Sequence, residues 1–202
     1  MTGESSVPPL FYLSGRADFI KFVPMNIDNI LNARHSVRNF DSDRKISHET
    51  VVDVLSSVLL SPSWKNSQTP RYHVVESAEV FGHLLGALSP RNTENASGAS
   101  VLVVSTFVKD VAGFNREGQP DNELGNGWGI YDAGLSNAIL LMKAAESGID
   151  SLVMGIRDAE RIREILQIPE QECILSVIAL GYRVSDPVRP ARKSLGEIVK
   201  FY

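Results

Sequence analysis

The most restrictive feature of the sequence is an almost unbroken run of β-branched and other apolar side chains at residues 101–108. The run reads Val-Leu-Val-Val-Ser-Thr-Phe-Val. Such residues favour strands, and a continuous rather than alternating apolar pattern is typical of a strand that is covered on both faces. With 202 residues, the chain is long enough to build one domain with a sizeable core around such a strand.

The pattern on either side of this run predicts interleaved helices and strands. Ser47 is a suitable N-cap for a helix that carries an apolar stripe and ends before Pro62, and Asp158 is suited to cap another. The longest predicted helix, residues 130–147, is apolar almost all round, which favours a buried position or a subunit interface. Further helices are predicted at residues 25–33 and 77–88, and further strands at 71–76, 151–154 and 174–180. Together these elements predict an α+β fold, and no glycine-rich phosphate-binding fingerprint supports a Rossmann or P-loop protein.

Composition narrows the functional classes. The net charge of −4 argues against a nucleic-acid-binding protein, which would show a basic excess. The single cysteine, Cys173, excludes an internal disulfide and a multi-cysteine metal site, and the four histidines lack ligand spacing. The first residues contain Glu4, Pro8 and Pro9 and lack the pattern of a signal peptide or membrane span. We therefore expect a cytoplasmic protein with no metal site and no membrane or nucleic-acid partner.

A basic segment follows the first predicted helix, where residues 34–41 read Arg-His-Ser-Val-Arg-Asn-Phe-Asp. Arg34 and Arg38 would share one face if this segment were helical. The planar guanidinium group is the side chain best suited to phosphate and other planar anions. An arginine pair near a helix end also occurs as a solvated group that interacts with the helix dipole. The segment alone leaves both interpretations open.

Two further segments support anion binding. Residues 61–70 read Ser-Pro-Ser-Trp-Lys-Asn-Ser-Gln-Thr-Pro, and residues 189–193 read Arg-Pro-Ala-Arg-Lys. In this order, the three segments resemble the motifs of the nitroreductase family of FMN-dependent oxidoreductases. That family has R-x-S-x-R/K-x-F after its first helix, then S-P-S-x-x-N-x-Q-P, and a basic run in its C-terminal arm. The resemblance covers residues 25–202 and leaves residues 1–24 as an N-terminal extension.

The resemblance implies a single nitroreductase-like domain over residues 25–202, with a central, mostly antiparallel sheet flanked by helices. It also implies a homodimer with domain-swapped arms, FMN as the cofactor and NADH or NADPH as the electron donor. Hydride would pass from the nicotinamide C4 to the flavin N5 and then to a small acceptor, such as a nitroaromatic compound or a quinone. Because the cofactor carries this chemistry, no side chain is expected to act as a nucleophile or as an obligatory acid or base.

The resemblance assigns the phosphate of FMN to the basic segments. Arg34 and the Ser36 hydroxyl would bind it from one side, together with the neighbouring His35. Arg192 and Lys193 would approach from the C-terminal run. Charge-assisted hydrogen bonds of this kind contribute about 1.5–3 kcal/mol each when they are well placed.

The ring system of the flavin has its own expected contacts. Arg38 would lie at the N1/O2 edge, where a fixed positive charge favours reduction. Asn92 would bind the same edge, with Asn95 as the alternative. A backbone N–H at Gly155 or Ile156 would face N5, although the β-branched Ile156 departs from the glycine that many relatives have there.

The Ser-Pro-Ser segment would reach the flavin from the other subunit of the dimer. The resemblance places Pro62, Ser63, Asn66 and Gln68 beside the ribityl chain and the ring edge. Taken alone, this stretch is also compatible with a proline-initiated turn whose polar residues face water.

Two regions have no assigned chemistry, and the C-terminal residues have an expected structural role in addition to their phosphate contacts. The N-terminal extension, residues 1–24, is expected to pack on its own subunit or on a partner. The polar, glycine-rich residues 109–129 are too long for a simple connection, which favours a functional loop or lid. Trp128, at its end, would either line the substrate pocket or pack on the core. Residues 183–202 are expected to form an extended C-terminal arm laid on a neighbouring subunit.

Three other functions remain open from sequence. The same fold also supports flavin fragmentation, dehalogenation of tyrosines and dehydrogenation of azolines. A protein of this kind could also bind flavin without turnover. The arginine clusters could instead bind only a protein partner.

Overall fold

The structure is a computed structural model that describes residues 26–202. The predicted extension, residues 1–24, and the first residue of the helix predicted at 25–33 lie outside the described residues. The helices are α1 (Ile27–Ala33), α2 (His48–Ser56), α3 (Ala78–Leu85), α4 (Pro90–Ala96), α5 (Gly127–Glu146), α6 (Ala159–Leu166) and α7 (Leu195–Ile198). The strands are β1 (Pro70–Val75), β2 (Val101–Val108), β3 (Asp150–Met154) and β4 (Glu172–Gly181), and two 3₁₀ turns occupy Ser57–Leu60 and Trp64–Asn66.

The four strands form one antiparallel sheet in the order β1-β2-β4-β3. Every residue of β2 from Val101 to Phe107 is buried, as the unbroken apolar run predicts. Successive side chains point to opposite faces of a strand, so Val101 and Val103 belong to one apolar cluster while Leu102 and Val104 belong to the other.

Helices cover both faces of this sheet. On one face, α2 and α5 pack through residues such as Val54, Leu140 and Ala144, which are fully buried. On the other face, α3, α4 and α6 contribute Leu84, Ala96 and Ile162, which are also fully buried. The α+β architecture predicted from the sequence is therefore confirmed.

The helix boundaries follow local chemistry. The Ser47 side chain accepts a hydrogen bond from the Thr50 N–H, and that of Asp158 accepts one from the Arg161 N–H, so both predicted N-caps are present. The pattern did not predict α4, a short helix with Pro90 in its first turn. Helix α5 begins at Gly127, earlier than the apolar pattern indicates, because two residues of this first turn are glycines without an apolar side chain.

The C-terminal arm is largely exposed. Residues 183–202 contain one short helix, α7, which starts with a reciprocal capping box between Ser194 and Glu197. The apolar side chains of this arm lie on the surface of the single chain, with Phe201 87% exposed and Leu195 63% exposed. No helix within residues 26–202 is long and apolar enough to cross a membrane.

A network of polar side chains links the strands β1, β2 and β4. The Glu172 carboxylate on β4 accepts a hydrogen bond from the Thr106 hydroxyl and lies 2.7 Å from His73 Nε2. Burial acts to raise the pKa of Glu172, but the hydrogen bonds with His73 and Thr106 and the positive charge of Arg71 outweigh burial, so this pKa is lowered from 4.5. The ionised carboxylate therefore stabilises the native state.

Replacing Glu172 with glutamine is expected to lower the free energy of unfolding at pH 7 by about 1.5–3 kcal/mol, the value of hydrogen bonds to a charged group. A lowered native pKa contributes stability above the unfolded pKa, and this contribution is lost as the pH falls through the native pKa. The difference between the two proteins should therefore shrink below about pH 4.3. Urea denaturation at pH 7 and at acid pH measures it, with the exposed Glu94→Gln as the control. A difference that persists unchanged in acid would contradict this assignment.

Candidate functional site

The basic segment runs alongside the sheet as extended chain. Helix α1 ends at Ala33, and Arg34 has extended backbone angles of φ −67° and ψ 120°. Ser36 then forms a parallel bridge with Ser151 of β3, and the Val37 N–H donates to the Ser151 carbonyl at 3.0 Å. The arrangement in which Arg34 and Arg38 share a helix face is therefore wrong. The burial of Val37 fixes the segment, with Arg34 and His35 half-buried and Ser36 and Arg38 exposed.

The segment borders a cavity of about 460 Å³, here called the basic cavity. Four arginines line it, two from the basic segment (Arg34 and Arg38) and two from the C-terminal arm (Arg189 and Arg192). The structure thus brings together residues that are more than 150 positions apart in the sequence. The remaining lining residues include His35, Ser36, Pro187 and Pro190.

Most of the predicted phosphate ligands lie on this cavity. Arg34, His35, Ser36 and Arg192 all line it, whereas Lys193 does not. Arg189 does line it, although the sequence reasoning selected its neighbours in the same basic run. With three of its five residues basic, that run indicates an anion site but does not specify which side chains turn toward the cavity.

The electrostatics of the basic cavity fit a phosphate group. Burial lowers the pKa of His35, and the nearby charges of Arg189, Arg183 and Arg34 lower it further, while Asp150 opposes them. Burial is the largest cause of this lowered pKa, and the contributions of the three arginines show that the charge around His35 is mainly positive. Since four guanidinium groups repel each other unless an anion lies between them, these residues fit the phosphate of a flavin nucleotide.

A second group of predicted residues meets at the end of β3. The Asn92 side-chain amide donates to the Ile156 carbonyl at 3.0 Å, and the Ser89 N–H donates to the same carbonyl at 3.3 Å. Gly155 has no heavy atom within 4 Å of the position that a Cβ would take, and Ile156 is 73% exposed. Asn92 therefore holds the Ile156–Arg157 peptide, next to the open surface at Gly155. Asn95, the alternative, lies on the same helix and is half-buried.

The Ser-Pro-Ser segment, residues 61–68, forms a tightly wound loop. Lys65, Asn66 and Gln68 all have positive φ angles, between 45° and 56°. Such angles are uncommon for residues other than glycine and persist only where the surroundings impose them. Two contacts do so, because Ser63 Oγ accepts from the Gln68 N–H at 3.0 Å and the Asp132 carboxylate accepts from the Trp64 N–H at 2.9 Å.

Within one chain, this loop is separate from the basic cavity. Pro62, Ser63 and Gln68 line a different cavity of about 410 Å³ with mostly apolar walls, and that cavity shares no lining residue with the basic cavity. Asn66 is exposed and lines neither of them. Within a single chain, no cavity therefore joins the residues of this loop with those of the basic cavity.

Residues 109–126, between β2 and α5, are packed against the Ser-Pro-Ser segment. The Trp64 and Trp128 rings are 4.4 Å apart, and Lys65 forms an ion pair with Asp121 at 2.7 Å. The Trp128 indole N–H donates to the Asn122 side chain at 2.9 Å, which anchors the loop on the first turn of α5. Trp128, in the first turn of α5, therefore contacts both this loop and the Ser-Pro-Ser segment.

Two residues outside the predicted site set, Asp132 beside this loop and Arg183 beside the basic segment, gain importance in the structure. Asp132 is 2% exposed inside an apolar helix, and burial raises its pKa while the Trp64 N–H acts to lower it. The sequence signal for Asp132 is a charged residue within the largely apolar sequence of α5. Arg183 pairs with Asp150 at 2.7 Å, but their positions are 33 residues apart and only the register of β3 with β4 brings them together. No group of three or more metal-ligating side chains occurs within the described part of the chain.

Comparison with known proteins agrees with this architecture. Residues 31–106 and 89–182 match the model described as "Nitroreductase family". A protein of Archaeoglobus fulgidus that carries the name NADH dehydrogenase/NAD(P)H nitroreductase is 28% identical over 162 residues, which span 76% of this chain and 83% of that protein.

Two solved structures show the same fold. A nitroreductase family protein from Streptococcus pneumoniae superposes with a TM-score of 0.78 at 21% identity, over 88% of this chain and all of that one. A nitroreductase of Exiguobacterium sibiricum, solved in complex with FMN, gives a TM-score of 0.76 at 19% identity, over 88% of this chain and 98% of its own. Since the family model spans more than half of the sequence, the chain belongs to the nitroreductase family.

Proposed function

We propose that this protein is an FMN-dependent oxidoreductase that uses NADH or NADPH to reduce a nitroaromatic compound, a quinone or a similar acceptor. That it is an oxidoreductase enzyme follows from its family. The observation that carries the more specific proposal is the basic cavity, where four arginines from two distant segments converge. The relative solved with FMN supports the choice of flavin nucleotide.

The basic cavity binds the phosphate in this proposal. Arg34 and Arg192 supply charge, and the Ser36 hydroxyl supplies a further hydrogen bond. Arg189 is added to the set because it lines the same cavity, whereas Lys193 is left with a long-range electrostatic role. Bound FMN would supply the two-electron chemistry that no side chain of this protein provides.

The surface at the end of β3 holds the ring in this proposal. Gly155 leaves space for a flat group to approach the backbone, and the Asn92 side chain holds the carbonyl of Ile156, the residue whose N–H is one of the two expected to face N5. A fixed peptide orientation matters because a hydrogen bond to the reacting ring must not require rearrangement during the reaction. The contacts of Asn92 thus support a positioning role in addition to the predicted contact with the ring edge.

We further propose a homodimer of a nitroreductase-like domain that spans residues 25–202. In this dimer, residues 62–68 complete the site of the partner subunit and the C-terminal arm packs on it. The separation of the loop from the basic cavity within one chain supports this arrangement, as do the exposed apolar side chains of the arm. Mass measurement in solution tests it, and an FMN-loaded monomer would overturn the shared site.

The loop at residues 109–126 forms one wall of the acceptor pocket in this proposal. Its contacts with Trp128 and with the Ser-Pro-Ser segment support this role, because the paired rings of Trp64 and Trp128 form an aromatic surface there. Flat acceptors stack on such surfaces without strong directional demands, which suits a broad range of substrates. A cytoplasmic location is part of the same proposal.

The proposed function is tested on the purified protein. A visible flavin absorption band after addition of FMN and removal of the excess is expected, followed by steady oxidation of NADH or NADPH when a quinone is added. A colourless protein would contradict flavin binding. A yellow protein that oxidises neither nicotinamide would indicate a flavin carrier and would contradict the enzymatic part of the proposal.

Replacing Arg38 with alanine is expected to lower the midpoint potential of the bound flavin. A cation near the ring edge stabilises the negative charge that develops on reduction, and Arg38 is the more C-terminal of the two arginines of the basic segment. A potentiometric titration measures the shift, and Arg38→Lys, which keeps the charge, is the matched control. An unchanged potential in Arg38→Ala would remove Arg38 from the ring edge.

A further inference from the structure

Arg183, two residues after the end of β4, is held by several polar contacts. Its guanidinium nitrogens lie 2.7 and 3.0 Å from the two oxygens of Asp150, and its backbone N–H donates to the same carboxylate at 2.8 Å. A third guanidinium nitrogen donates to Asp186 at 2.8 Å. Asp150 is itself only 8% exposed. This pairing fixes the plane of the guanidinium group, since a bidentate contact with a buried carboxylate leaves little rotational freedom.

The same guanidinium group contacts His35. Its Nη1 atom lies 3.4 Å from His35 Nδ1. A guanidinium group has donors but no acceptor, so His35 Nδ1 must offer its lone pair in this contact. A neutral imidazole carries one proton, which is therefore on Nε2. The contact with Arg183 thus selects one tautomer of His35.

The selected tautomer has a donor without an acceptor. His35 Nε2 is buried and has no hydrogen-bond partner among residues 26–202. An unpaired buried donor is costly, so such groups call for an explanation. His35 lines the basic cavity together with Arg34 and Arg192, where the expected ligand carries phosphate oxygens.

We infer that Arg183 and Asp150 are positioning residues that hold His35 as the Nε2–H tautomer, which donates a hydrogen bond to the phosphate of the bound flavin nucleotide. The identity of the ligand rests on the proposed function, whereas the tautomer does not. A neutral donor suits this position because the four arginines already supply positive charge, and an imidazolium would add repulsion before the ligand binds.

The tautomer is tested first, on the protein without FMN. Long-range ¹H–¹⁵N correlation spectra of ¹⁵N-histidine-labelled protein distinguish Nε2–H from Nδ1–H, and the signals missing in His35→Gln identify His35. We expect the Nε2–H form in the wild type and a mixture of tautomers in Arg183→Met. An Nδ1–H form in the wild type, or an Nε2–H form that is unchanged in Arg183→Met, would overturn the positioning role.

Binding is tested second, with a double-mutant cycle. The side-chain amide nitrogen of glutamine takes roughly the place of Nε2, so His35→Gln keeps the donor without needing Arg183. Arg183→Met is expected to weaken FMN binding about tenfold, the lower end of the range for a hydrogen bond to a charged group. The same change in the His35→Gln background should have no further effect, because the donor is already fixed.

Riboflavin, which lacks the phosphate, distinguishes a contact with the phosphate from an effect on flavin binding in general. Its affinity should be the same in all variants. An equal loss of FMN affinity in both backgrounds would show that Arg183 acts through the fold and would overturn the inference. If Arg183→Met fails to fold, Arg183→Lys takes its place in the double-mutant cycle, because lysine keeps an ion pair with Asp150. A wild type that shows the Nε2–H tautomer but binds no FMN would contradict the proposed function and the phosphate contact, while the tautomer would stand.

Discussion

Replacing Arg34 with alanine is expected to weaken FMN binding by about one to two orders of magnitude, because a charge-assisted contact with phosphate contributes about 1.5–3 kcal/mol. Arg34 combines a fixed backbone with a position on the basic cavity, since the bridge between Ser36 and Ser151 anchors the segment to the sheet. Removal of the side chain leaves that backbone in place. Fluorescence titration of the flavin with the protein measures the change.

Two controls distinguish a phosphate contact from a general loss of charge. Riboflavin lacks the phosphate, so its affinity for Arg34→Ala and for the wild type should be equal. Arg44 lies nearby on a neighbouring cavity, where it stacks over the Tyr182 ring at 3.8 Å, and it does not line the basic cavity. Arg44→Ala should therefore bind FMN nearly as well as the wild type. Equal losses in both variants would contradict a specific role for Arg34.

Local chemistry explains why much of the fold was predictable from sequence. The β-branched run of β2 matches the observed strand, and the caps at Ser47 and Asp158 begin α2 and α6. In each case, the information lies within a few residues of the element that it specifies. Helix α4 was missed because its polar sequence carries no apolar periodicity, and only Pro90 in its first turn indicates a helix start.

The candidate site was predictable only in part, because its parts have different origins. The basic segment and the C-terminal run are recognisable from residue type, and the structure places both on one cavity. The pairing of Arg183 with Asp150 depends on the register between β3 and β4, which no local pattern encodes. The left-handed conformations of Lys65 and Asn66 occur in a loop whose backbone is held in part by a distant group, the Asp132 carboxylate.

Replacing Gly98 with alanine is expected to lower the free energy of unfolding by about 3 kcal/mol, the upper range for forcing an extra carbon into a packed interior. The added Cβ would lie 2.2 Å from the Phe40 carbonyl oxygen, far inside contact distance. Phe40 has little freedom to move, because it pairs with Arg183 and its ring packs against Gly181. In a chain of this length, the expected loss lowers Tm by roughly 6–12 °C.

Gly82 provides the matched control for Gly98. It lies on the exposed side of α3, with no heavy atom within 4 Å of the position that a Cβ would take. Gly82→Ala should therefore stabilise the protein by about 0.5–1 kcal/mol, since alanine favours helix more than glycine does. Neither glycine has a positive φ angle, so the opposite signs would isolate the steric contact with Phe40. Because Phe40 belongs to the segment that carries Arg34 and Arg38, Gly98→Ala should also weaken FMN binding. Equal stability of the two variants would show that this segment is not held against Gly98.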